Sequence, residues 1–139
     1  MNHFQPRPEL ARRIVWEAEA VRAKFPGLFR LVIDVRDQLA WVGSVPVEGR
    51  PFPIRVTYPP AYPAIPPKLQ TTAPLPPGCP HLLERAEGRS TLCWIASSAQ
   101  GPRRRWDPQR HTAATALRSA LRWGLALRNG KPRKRATAK

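Results

Sequence analysis

The chain has 139 residues, 42% of them apolar, enough for one domain whose core needs no disulfide staples. No basic-then-apolar leader and no apolar run near the ~18 residues of a membrane span is present, so a cytoplasmic protein without a membrane partner is expected. The net charge of +15 is uneven: residues 88–139 hold thirteen Lys or Arg against Asp107 alone, and such an end attracts nucleic acid or an acidic protein surface non-specifically.

Residues 1–7 show no periodic pattern. Pro8 suits the first turn of a helix, Glu9 suits its positive end, and Leu10, Ile14, Ala18 and Val21 recur at helical spacing. The helix is expected to run to about Lys24, with Arg12, Arg13, Glu19 and Arg22 largely on other faces, and Pro26-Gly27 ends it. From Leu28 the period becomes two. Phe29, Leu31, Ile33 and Val35 face one way, while Arg30, Asp34 and Arg36 face the other with Val32.

A turn at Asp37-Gln38 leads to Leu39, Trp41, Val45 and Val47, with Gly43 in their register as a bulge or close-approach site. Glu48-Gly49-Arg50 turns the chain into a third strand carrying Phe52, Ile54, Val56 and Tyr58. These short links predict an antiparallel meander with one apolar face for helices to cover, and residues 68–72 supply a short fourth strand. The fold class expected is therefore α+β.

Residues 58–67, Tyr-Pro-Pro-Ala-Tyr-Pro-Ala-Ile-Pro-Pro, cannot be helix or central strand, because proline lacks an N–H and fixes φ. They predict a stiff, proline-rich flap with two tyrosines and Ile65 to bury. Residues 74–80 are proline-rich again, residues 90–95 form a brief apolar segment around Cys93, and residues 97–105 are a polar loop. Asp107 as N-cap and Pro108 as N1 predict a long final helix with Ala113, Leu117, Ala120, Leu121 and Leu125 buried, stopped by Asn129-Gly130. Residues 131–139 read as a basic, solvated, disordered tail.

Cys93 is the leading candidate for chemistry. A free thiol has a pKa of about 8.5, so a few per cent is already thiolate at neutral pH, and Arg89, residues 103–105, His81 or His111 would lower that value if nearby. A buried, inert cysteine is the plain alternative. Cys79 and Cys93 are expected as free thiols, and with His81 and His111 they lack the paired spacing of common zinc sites. No phosphate loop, carboxylate pair or Gly-x-Ser-x-Gly occurs, so phosphoryl transfer, glycoside cleavage and serine hydrolase chemistry have no support, and no cofactor is expected. Trp41, Phe52 and Tyr58 lie on core faces, where packing is a simpler account than base stacking.

Several motifs stand in one order: Trp41-Val-Gly43, residues 49–60, Tyr62-Pro63, Pro66-Pro67, Leu92-Cys93 and Trp106-Asp-Pro108. In order and spacing the chain resembles the ubiquitin-conjugating enzyme family over residues from about the first helix to Gly130. The resemblance implies a ubiquitin-conjugating-enzyme-like domain over 1–130, with an N-terminal helix, a four-stranded antiparallel meander, a proline-rich flap, a cysteine loop and one long C-terminal helix. It implies that Cys93 receives a ubiquitin-like protein from an activating enzyme as a thioester and passes it to an amine. The family's His-Pro-Asn triplet has no clean counterpart; Cys79-Pro80-His81 puts His81 at the asparagine's place, with an oxyanion or loop-bracing role. Arg12, Arg13 and Arg22 resemble the basic face that such enzymes present to the activating enzyme.

The chain lacks the further helices of eukaryotic members and resembles the compact conjugating enzymes of bacterial ubiquitin-like operons. That likeness implies partners: an activating enzyme, a ubiquitin-like modifier and a deconjugating peptidase encoded nearby, with antiviral defence a process such an operon could serve. Two other readings remain open here: a non-catalytic member of the same fold that binds the modifier, and a basic nucleic-acid-binding module using residues 103–105 and the tail.

Overall fold

The computed structural model describes residues 8–33, 36–74, 82–86, 88–92, 94 and 105–128. Helix α1 (Pro8–Lys24) is followed by strands β1 (Phe29–Ile33), β2 (Leu39–Val47), β3 (Arg50–Thr57), β4 (Lys68–Thr71), β5 (Leu82–Ala86) and β6 (Arg89–Leu92), and then by helix α2 (Ala113–Arg128). The strands form one antiparallel sheet of six, in the order β1-β2-β3-β4-β6-β5. The four-strand expectation is thus corrected. The meander of β1 to β4 is present, and a β5-β6 hairpin extends it with β6 inserted against β4.

Alternation places Trp41, Val45 and Val47 of β2, Phe52, Ile54 and Val56 of β3, and Leu69 of β4 on one buried face, which the helices cover. Ile14, Ala18 and Val21 of α1 and Ala113, Ala116, Leu117, Ala120 and Trp123 of α2 close the core over that face. The β2-β3 link is a two-residue turn in which Glu48 and Gly49 both have positive φ, 51° and 81°, the geometry that matches strand twist. At Gly43 the pairing is continuous on both sides, so it is a close-approach site and not a bulge: an added Cβ would lie 2.0 Å from Leu28 O.

Four finer expectations change, the first in the flap, where Tyr58 and Tyr62 are buried but Ile65 is exposed. Ile33 ends the edge strand β1 and is 51% exposed, and Leu125 is exposed because α2 turns Trp123 inward in its place. Helix α2 begins at Ala113, not after Asp107. Asp107 instead heads a separate turn, accepting Gln109 N–H on Oδ1 and the N–H groups of Arg110 and His111 on its carbonyl. The N-cap of α2 is Thr112, whose Oγ1 accepts Ala114 N–H while Thr115 Oγ1 accepts Thr112 N–H. Val35, the residues 75–81 and 95–104, the Asn129-Gly130 stop and the tail at 131–139 lie outside the described residues.

Candidate functional site

The flap at residues 58–67 is short of backbone donors but rich in carbonyls, and its order comes from side chains that reach those carbonyls. Trp94 Nε1 donates to Pro67 O at 2.9 Å, and Trp106 Nε1 donates to Pro63 O at 2.8 Å. An indole N–H turned away from water needs an acceptor, so buried Trp106 and partly buried Trp94 each pin one point of the flap. Trp94 meets Trp106 edge-on with centroids 6.1 Å apart, and Trp106 packs on Tyr62 at 5.8 Å, which itself lies 4.6 Å from Tyr58. The Tyr62-Pro63 peptide is cis.

Beneath the flap sits a carboxylate. Glu17 is fully buried; its Oε1 accepts Tyr58 OH at 2.7 Å and Ala113 N–H at 3.0 Å, and its Oε2 accepts Tyr62 OH and Arg13 Nε. Four donors on two oxygens satisfy the charge that burial would otherwise penalise. Arg13 extends the network, donating through its terminal nitrogens to Pro108 O and His111 O, both at 2.8 Å. Trp41 Nε1 completes it by donating to Tyr58 OH. Helix α1, strand β2, the flap and the start of α2 are therefore tied at one point.

Electrostatics follow from this geometry. Burial first, and then the Glu17 charge, raise both tyrosine hydroxyls above their ordinary pKa, so both stay protonated donors. Burial works against the charge of Arg13, but Tyr62 and Glu17 outweigh it and hold the guanidinium above its ordinary value.

The nucleophile expected from sequence, Cys93, lies outside the described residues, as do His81 and Cys79. Its described chain neighbours are the buried Leu92, paired with Leu69 in the sheet, and Trp94, bonded to the flap. Arg89 is on β6, half-buried, and Arg105 is exposed. His111 uses Nδ1 to accept Asp107 N–H at 2.9 Å, a bond within its own turn. Among the described residues no group of three or more His, Cys, Asp or Glu is placed to hold a metal ion. No described helix is long and apolar enough to cross a membrane.

No family model, curated protein or solved structure matches the chain. Local geometry must carry the functional reading.

Of the three arginines expected on an exposed basic face, Arg12 and Arg22 are exposed. The expectation for Arg13 is corrected: its side chain is 15% exposed and its donors are spent on Glu17, Tyr62 and two carbonyls. Sequence reasoning missed Glu17, although an acid set between Ile14 and Ala18 on an apolar stripe, four residues after an arginine, was a readable signal.

Proposed function

We propose that the protein is a conjugating enzyme for a ubiquitin-like protein, of the ubiquitin-conjugating fold, with Cys93 as the thioester carrier. The Cys93 thiolate attacks the carbonyl of the thioester presented by an activating enzyme and expels that enzyme's thiolate. An amine on the acceptor then attacks the new thioester, loses its proton and expels the Cys93 thiolate. His81 donates to the oxyanion or braces the loop, while exposed Arg12 and Arg22 meet the activating enzyme. A ubiquitin-like modifier, the activating enzyme and a deconjugating peptidase are the implied partners, in the cytoplasm.

The observation that supports this reading is the bracing of the chain beside position 93. The preceding residue is fixed in the sheet and the following one is hydrogen-bonded to the proline-rich flap. Chain neighbours fixed on both sides of a nucleophile reduce the freedom that it has to lose on reaching its transition state.

The test mixes the protein with its activating enzyme, ATP and modifier and resolves the products without reducing agent. Wild type should gain one modifier that thiols remove, Cys93→Ser should trap an oxyester, and Cys93→Ala should gain nothing. Cys79→Ala should still charge, and His81→Ala should charge while discharge to an amine slows by roughly 10²-fold. An undiminished adduct on Cys93→Ala removes the assignment, and a scaffold that only binds the modifier would form no adduct at all.

A further inference from the structure

The flank of α1 turned toward α2 presents Trp16, Ala20 and Lys24 at four-residue intervals. Arg12, four residues before Trp16, continues the same row, whereas Val15, Glu19 and Arg22 lie on another side of the helix. Across from it stand the turn after Asp107 and the first turns of α2, and the two sides enclose a groove of about 670 Å³. Four cations line that groove, Lys24, Arg105, Arg110 and Arg118. Among the described residues its one acid is Asp107, whose Oδ2 lies 3.8 Å from Arg110 Nε.

The positive end of α2 is already met by the buried Glu17 carboxylate, so the charge of the groove comes from its side chains. One wall is apolar: the indole of Trp16 is 49% exposed, with the Arg13 guanidinium 5.6 Å from its ring centroid. Cations gathered in a concavity beside a half-exposed indole repel one another, and that repulsion becomes attraction when an anionic chain enters.

We propose that this groove docks an acidic peptide segment of a partner protein, with its carboxylates on Arg105, Arg110, Arg118 and Lys24 and an apolar side chain against Trp16. The groove is concave and small, which suits a short extended peptide and excludes a duplex. A single nucleic-acid strand relies on several aromatic platforms for successive bases, whereas the groove offers one indole. Nothing in this docking requires the chemistry of Cys93.

The test uses the full chain and a short labelled peptide of alternating Glu and Gly with one central Phe, followed by fluorescence anisotropy at physiological salt. Arg110→Glu with Arg118→Glu should weaken binding roughly tenfold, and Trp16→Ala severalfold, with circular dichroism unchanged. Arg30→Glu with Lys68→Glu makes the same change of charge on the sheet face opposite the helices and should leave binding as it was. Equal weakening by that control pair would assign the binding to the whole molecule's charge and overturn the groove. Equal binding of a Gln-for-Glu peptide would overturn its electrostatic basis. Tighter binding of an oligothymidylate of matched charge, lost with the same groove substitutions, would replace the peptide with a nucleic acid.

Discussion

Glu17 Oε1 accepts the backbone N–H of Ala113 at 3.0 Å, so a carboxylate from α1 satisfies the first N–H of α2 across 96 residues of chain. That N–H is one of the four that a helix start cannot satisfy internally, and here the anion also lies at the positive helix end. Because Tyr58, Tyr62 and Arg13 share the carboxylate, its removal strands several buried donors together. Glu17→Ala should cost about 3–5 kcal/mol in urea unfolding, and Glu17→Gln about 2 kcal/mol, since an amide turns one acceptor into a donor facing donors. A loss under about 1 kcal/mol for the alanine variant would mean that the four elements hold without this knot.

Both tyrosines on Glu17 predict an alkaline limit to stability. Their folded pKa values are raised, so the stabilisation is complete below the unfolded value of 10.0 and is lost as pH rises above it. Each tyrosine should add a decline of about 1.4 kcal/mol per pH unit in that range. Urea midpoints measured from neutral to strongly alkaline pH should show this slope, and Tyr58→Phe should be less stable at neutral pH but decline less steeply above the tyrosine range. The same alkaline slope in wild type and Tyr58→Phe would remove Tyr58 from the effect.

Gly43 lies where β2 passes the end of the α1-β1 link. A Cβ there would meet Leu28 O at 2.0 Å and Phe29 Cδ1 at 2.8 Å, and the first of these is backbone that cannot rotate aside. Gly43→Ala should therefore cost about 3 kcal/mol and lower Tm by about ten degrees. A Tm within a degree or so of wild type would show that β1 can move away freely.

How much of this was legible depends on where the determining contact lies in the chain. Phe52, Ile54 and Val56 announced their strand because one face is apolar and the period is two; Gly43, in register on the strand before, left a bulge or a close approach open, and the contact with Leu28 O decides for the second. Strand β5, Leu-Leu-Glu-Arg-Ala, has no alternation, and β6, Arg-Ser-Thr-Leu, is polar yet buried beside β4, so neither could be read from pattern. Glu17 is legible as an acid on the apolar stripe with Arg13 as its i, i+4 partner, but its other partners, Tyr58, Tyr62 and Ala113, come from far along the chain and are not. For Cys93 and His81 the order of motifs remains the whole signal.

Arg12, Arg13 and Arg22 share a charge and a helix, but their surroundings predict different failures when each is reversed. Arg12 and Arg22 are exposed, so Arg12→Glu with Arg22→Glu should leave stability within about 0.5 kcal/mol of wild type. On the proposed conjugating function the same pair should slow charging of Cys93 through the encounter rate, by roughly tenfold at low salt and much less at high salt, where such fields are screened. Arg13→Glu would instead set a second carboxylate beside buried Glu17 and release the carbonyls of Pro108 and His111, at a cost of about 3 kcal/mol or more. Stopped-flow charging at two salt concentrations, paired with urea unfolding of each variant, separates the two roles. Unchanged charging of the Arg12/Arg22 variant at low salt would remove the docking face, and wild-type stability of Arg13→Glu would show that its guanidinium is dispensable to the fold.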